Sequence, residues 1–196
     1  TVHCPALDGM QRVSLRAAFV PAPGFVFLSA DYSQLEARLL AHFSEDPALL
    51  EVLRRPDGDL FRLVAADIHG GIPEHEVTPV QRQHAKHLFY ALLYGMGKRS
   101  LSELLMVSAQ EAEQFQLRFL ERHPAVEKLL KHVKQQCREH GYVETLTGRR
   151  RYLPAINSSD TSERAHAERQ AINTVCQASA ADLAKIAMNN IVFALH

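Results

Sequence analysis

Residues 82–95 read RQHAKHLFYALLYG. Arg82, Lys86, Tyr90 and Tyr94 recur at every fourth position, so a helix here sets all four along one slowly drifting face. That face carries two cations and then two phenolic rings. Ala85, Leu88, Phe89, Ala91, Leu92 and Leu93 supply apolar surface for the opposite side. Thr78 and Pro79 open the helix, and Gly95 and Gly97 are expected to end it. Two cations one turn apart suit a polyphosphate, and a ring one turn further on can stack on a base or sugar. The bland alternative is an amphipathic helix with a solvated basic edge.

Working outward, the other segments read mostly as helix. Helices are expected over 47–54 and 59–69, after Gly97, after a Ser108 cap with Glu111 three residues on, and from Pro124 to Gly141. A long helix runs from about Ser162 to at least Ala194. It presents Glu168, Arg169, Asn173 and Gln177 at near-turn spacing, either as a solvated face or as donors suited to the minor groove. YVETLTGRRRYLPAI, residues 142–156, alternates apolar and polar around a Thr-Gly turn and reads as a hairpin. FVFLSA, residues 25–30, reads as a buried strand after a Pro-Gly turn. Asp31 follows it directly, where a carboxylate is costly unless paired or bound to metal. Leu35, Leu39, Leu40 and Phe43 continue as a helix, with Ser33 and Glu36 in capping-box register. The fold class is therefore α+β and predominantly helical.

The chain has 196 residues, 46% of them hydrophobic, which allows one large or two small domains with a real core. No apolar run reaches the roughly 18 residues that span a bilayer. The sequence opens on TVHCPALDGM, without an initiator Met or signal peptide, and is expected to be a segment of something longer. Three widely separated cysteines imply a reducing, intracellular setting. Net charge is zero, but its distribution is uneven. Residues 31–59 hold seven acids against three bases, while residues 81–100 hold four bases and no acid. Arg149, Arg150 and Arg151 form a second basic knot. Eleven histidines bring no zinc-ligand spacing, and neither a Walker loop nor a nucleophile elbow is present.

Four strings in fixed order resemble the family A DNA polymerases. DYSQLEARLLAH at 31–42 resembles motif A, and RQHAKHLFYALLYG at 82–95 resembles motif B. TLTGRRRYLPAI at 145–156 and AERQAINTVCQASAADLAKIAM at 167–188 resemble the later signatures. GRRRYLP, RAHAERQAINT and the YGMG ending of motif B point to the eukaryotic theta-type branch, ahead of the nu-type. The resemblance implies a right-hand polymerase, with palm in residues 1–58 and 155–196 and fingers in 59–154. It implies template-directed transfer of deoxynucleotides to a primer 3′ hydroxyl, with two Mg²⁺ ions held through Asp31 and the Tyr32 carbonyl. Arg82 and Lys86 would bind the triphosphate and act in catalysis, Tyr90 would stack near sugar and base, and Tyr94 would stand near the template base. Glu36 would close the space of a ribose 2′ hydroxyl. Gln34, counted among the nucleotide contacts, would also touch the primer–template with Arg169, Asn173 and Gln177, joined by Arg149 and Arg150. A nuclear setting in DNA repair or replication comes with the theta-type likeness.

Departures carry their own expectations. Tyr90 stands where the family often has Phe, which implies easier acceptance of dideoxynucleotides. Phe61 stands where the bacterial pattern has His, and Ala178 where the family has Gly. The second catalytic acid of the family lies in a downstream His-Asp-Glu motif that the sequence does not reach, and Asp182 does not match it. The thumb and the rest of the palm are expected to be required, and the 196-residue chain alone to be weak or inactive. A non-catalytic module that binds nucleotide or DNA is the alternative.

Overall fold

In the computed structural model, residues 14–96 and 98–195 are described, without the Lys98 side chain. Gly97, the second expected helix stop, lies outside them, as do residues 1–13 of the approach segment. The chain divides into two units after Ser33.

The first unit contains a 3₁₀ turn, Leu15–Ala18, and a turn at Gly24, whose following amide, Phe25 N–H, donates to the Ala22 carbonyl at 3.0 Å. The buried strand expected over residues 25–30 is not there. The segment is irregular and exposed, with Val26 at 88%. An apolar β-prone run becomes a strand only when a neighbouring backbone supplies ladder bonds, and no such partner lies among the described residues.

The second unit is a helical assembly with one small hairpin, as the α+β, mostly helical reading anticipates. Its elements are α1 (Leu35–Ser44), α2 (Pro47–Arg54), α3 (Leu60–Ile68), α4 (Pro79–Leu93), α5 (Lys98–Leu105), α6 (Ala109–Arg122) and α7 (Pro124–His140). The hairpin of β1 (Tyr142–Glu144) and β2 (Arg150–Tyr152) and then α8 (Thr161–Asn173) and α9 (Ser179–Leu195) follow. Val143 pairs with Arg151 in the antiparallel register.

Local chemistry sets most boundaries. Thr78 and Gln81 form a capping box at α4, and Ser108 and Glu111 another at α6. Asp46 and Asp59 cap α2 and α3, with Pro47 at the first position of α2. Gly141 closes α7 with φ +76°, a left-handed turn that costs a glycine little. At α1 the helix begins one residue later than a Ser33 cap would set it. Gln34 is the N-cap, in left-handed conformation and without a side-chain cap bond. The Glu36 carboxylate accepts from Tyr94, the C-cap of α4.

The core lies between α3, α4 and α6. Leu60, Val64 and Ile68 of α3 and Ala85, Leu88 and Phe89 of α4 are buried. Phe89 meets Phe61 and Phe119 edge-on, at centroid distances of 5.9 and 6.1 Å. Edge-to-face packing suits the ring quadrupoles and fixes the roll of α4 about its axis. That roll decides which residues of α4 face outward.

The long C-terminal helix runs as expected, from Thr161 to Leu195, with one local change of hydrogen-bond pattern. Between α8 and α9, Thr174–Ala178 forms a π turn. Glu168, read from the sequence as an exposed polar position, faces α7 instead, where Lys134 (3.1 Å) and Arg138 hold its carboxylate.

Candidate functional site

The outward face of α4 carries the expected stripe. Phe61, on the first turn of α3, stands behind it. The Arg82 guanidinium carbon lies 5.6 Å from the Phe61 ring centroid, Lys86 Nζ 5.9 Å, and the Tyr90 ring 5.9 Å. One ring thus orders three stripe residues through cation–π and aromatic contact. Tyr90 and Tyr94 stack, with centroids 5.7 Å apart and planes 21° from parallel.

At the cationic end, Arg82 Nε donates to Asp59 Oδ2 at 2.6 Å. Asp59 Oδ1 accepts from the Phe61 and Arg62 amides, so one carboxylate caps α3 and orients Arg82 together. Lys86 has no carboxylate partner among the described residues, which leaves its ammonium available to an anion.

At the aromatic end, the Tyr94 hydroxyl donates to Glu36 Oε2 at 2.6 Å, with Gln177 beside the same hydroxyl. Burial first, and the Glu36 hydrogen bond second, raise the phenol above its ordinary range. Tyr90 is raised by burial and then by the Glu36 charge. Below them the buried Cys176 thiol is pushed up to about 12 by burial, with the Glu36 charge adding to it. Glu36 is therefore a fixed carboxylate, anchored by a neighbour from another helix.

The helix after the hairpin meets the end of α4. A Cβ on Gly95, whose φ is +63°, would stand 2.5 Å from Arg169 Cγ. Arg169 can lie there only because residue 95 has no side chain. The side-chain oxygens of Gln34 and Asn173 are buried without a hydrogen-bond partner among the described residues. Buried amide oxygens in that state call for a ligand or water donor.

The structure brings Arg82, Lys86, Tyr90, Tyr94, Glu36, Arg169 and Gln177 to α4. It engages Arg149 and Arg150 differently. Arg149 donates to Asp182 Oδ1 (2.9 Å) and to the Ala178 carbonyl (3.3 Å). Arg150 donates to Glu144 (2.7 Å) and lies over the Tyr142 ring at 4.6 Å. Asp31 and Tyr32 fall in the first unit, on irregular, exposed backbone. Among the described residues no three His, Cys, Asp or Glu side chains gather as a metal cluster, so Asp31 and a Tyr32 carbonyl do not by themselves complete a site for two cations. Sequence reasoning missed Asp59 as the partner of Arg82, although an acid directly before an apolar helix is a visible cap. It also missed the π turn, for which no local signal exists.

The description "DNA polymerase family A" matches residues 4–196. The chain is 46% identical over 179 residues to DNA polymerase theta of Mus musculus, covering 91% of this chain and 7% of that one. It is 43% identical over 175 residues to DNA polymerase I of Bacillus caldotenax, covering 89% and 20%. Among solved structures it resembles the POL domain of Pol1 from M. smegmatis in complex with DNA primer-template and dNTP. That match has a TM-score of 0.78 and 40% identity, and it covers 84% of this chain and 29% of that one. The chain thus spans a small part of each relative's length. With motif-like strings, fold and site geometry in agreement, it belongs to DNA polymerase family A.

Proposed function

We propose that this chain is the nucleotide-gripping and duplex-contacting part of a DNA-directed DNA polymerase. The observation that carries the reading is the α4 stripe, in which two cations and two stacked rings share the Phe61 support and end at a fixed Glu36 carboxylate. Residues 59–154 then serve as fingers, and residues 1–58 and 155–196 as part of the palm.

On this reading Arg82 and Lys86 take separate phosphates of an incoming deoxynucleoside triphosphate, and Lys86 Nζ is placed to protonate the leaving pyrophosphate. Tyr90 stacks against sugar and base, and its hydroxyl underlies the expected dideoxynucleotide acceptance. Tyr94 stands by the template base and holds Glu36, whose carboxylate fills the room a ribose 2′ hydroxyl would need. Arg169, Asn173 and Gln177, with Gln34, offer donors and acceptors to the minor-groove edge of primer–template DNA, where such groups are shared by all base pairs. Arg149 and Arg150 would serve the duplex with the guanidinium donors that Asp182 and Glu144 leave free. Asp31, with the Tyr32 carbonyl, supplies one carboxylate toward Mg²⁺, and the other ligands lie outside the described residues. Mg²⁺ held there would supply activation of the primer hydroxyl and charge neutralisation at the phosphates. A nuclear role in repair by end joining follows from the theta-type likeness.

Primer extension on a primed template with Mg²⁺ and four deoxynucleotides tests this. The 196-residue chain is run beside the full-length protein that carries it, each with and without Asp31→Ala. Extension by the full-length protein that is lost with Asp31→Ala supports the reading. Nucleotide or duplex binding without extension by either protein moves it to a non-catalytic binding module.

A further inference from the structure

The π turn at Thr174–Ala178 lies inside the row of residues proposed to meet the duplex. In an α-helix a four-residue step overshoots a full turn by about 40°, so Arg169, Asn173 and Gln177 would spiral by about 80° in two steps. A π turn takes one extra residue per turn, so the Asn173-to-Gln177 step falls short instead. The overshoot of the first step and the shortfall of the second offset each other. Two contacts bear this out: Arg169 lies against Gly95 and Gln177 beside the Tyr94 hydroxyl, adjacent residues at the end of α4.

A π turn is disfavoured and needs outside support. The hairpin provides it at three points. Arg151 Nη1 donates to Thr174 Oγ1 at 3.0 Å, and that hydroxyl donates to the Gln170 carbonyl at 2.7 Å. The Leu146 amide donates to Ser179 Oγ at 2.9 Å, and Ser179 Oγ donates to the Val175 carbonyl. Arg149 reaches the Ala178 carbonyl. Donors from one hairpin thus hold the first residue, the last residue and the far flank of the turn.

We propose that Arg151, through Thr174, is a positioning residue for duplex recognition: it holds the π turn that sets Arg169, Asn173 and Gln177 in one straight row. The inference rests on the duplex-contact reading above. In it Arg151 acts through the one Nη1 donor given to Thr174 Oγ1, and the salt series below separates that role from a direct phosphate contact.

The test measures binding of a fluorescent, 3′-recessed primer–template by the full-length protein across a salt series, with thermal denaturation of each variant. Gln177→Ala should weaken binding roughly three- to tenfold, the loss of one or two hydrogen bonds. Arg151→Ala should weaken it by a similar factor, and the double variant no further, because both remove the same contact. Arg151→Ala should leave the slope of log affinity against log salt unchanged, whereas a phosphate-binding arginine would lower it by about one. Arg151→Lys should restore part of the loss. If Arg151→Ala fails to fold, the near-isosteric Thr174→Val is read in its place. A loss additive with Gln177→Ala, a reduced salt slope, or wild-type binding by Arg151→Ala overturns the positioning role while the duplex reading stands. Wild-type binding by Gln177→Ala overturns the duplex reading, and this inference with it.

Discussion

Arg82 and Asp59 are joined by a 2.6 Å hydrogen bond between residues 23 apart in the chain. The same carboxylate caps α3 through its other oxygen. Any phosphate that Arg82 binds must therefore share its guanidinium with Asp59. Asp59→Asn keeps a good helix cap and removes the competing charge. In the full-length protein it should lower the KM for deoxynucleotides by about two- to fivefold with little change in melting temperature, the size of a partly exposed ion pair. An unchanged or raised KM would show that Asp59 orients Arg82 more than it competes.

Tyr94→Phe removes the hydroxyl that anchors Glu36. A hydrogen bond to a charged acceptor contributes about 1.5–3 kcal/mol, so Tyr94→Phe should destabilise the fold by about that much. On the reading proposed above Glu36 excludes a ribose 2′ hydroxyl, so freeing it from Tyr94 should raise ribonucleotide incorporation relative to deoxynucleotide. Single-nucleotide kinetics with both sugars check this, and unaltered discrimination would remove Tyr94 from the sugar filter.

His123, at the corner between α6 and α7, is fully buried, with Nδ1 3.1 Å from Asp46 Oδ1 and Nε2 3.3 Å from Asp67 Oδ2. Its removal leaves the buried Asp46 carboxylate with the Leu49 amide alone and opens a cavity. His123→Ala should cost about 3 kcal/mol in a urea titration, the range for breaking a buried polar pair. Asp67→Asn should cost clearly less, about 1 kcal/mol or under, because Nε2 makes no hydrogen bond to it, the Asp46 contact stays, and only the exposed Arg122 pair is weakened.

The Asp182 carboxyl is pushed down to about 2 by the Thr145 and Thr147 hydroxyls and then by Arg149. An unfolded aspartate titrates near 3.9. The folded state therefore binds this proton less readily, so the stabilisation is fully present above about pH 5 and fades as pH falls through about 2. Asp182→Asn should lower stability at pH 7 and flatten the loss of stability between pH 4 and 2, as followed by circular dichroism. Parallel acid limbs in the two proteins would exclude Asp182 as the group responsible.

Much of the fold is legible in the sequence because the signals are local. Thr78 with Gln81 and Ser108 with Glu111 need only three-residue spacing, and Pro124 and Gly141 mark the ends of α7 by their own backbone restrictions. The stripe on α4 is legible because its period matches the helix. Long-range competition is not legible. The bond from Tyr94 to Glu36, 58 residues apart, leaves no mark in local spacing. Arg149 looks like a free basic residue until Asp182, 33 residues on, is folded against it. The π turn has no local mark because hairpin donors stabilise it from outside.

Gly95 bears consequences for how this sequence can change over time. Two penalties meet there, a left-handed backbone that costs an alanine about 1 kcal/mol and a Cβ position already occupied by the Arg169 side chain. The first belongs to residue 95 alone, but the second vanishes once position 169 shortens. Gly95→Ala is thus severe in the present background and mild after Arg169→Ala, so the two substitutions are accessible in one order and closed in the other. The contact makes part of the protein's history directional.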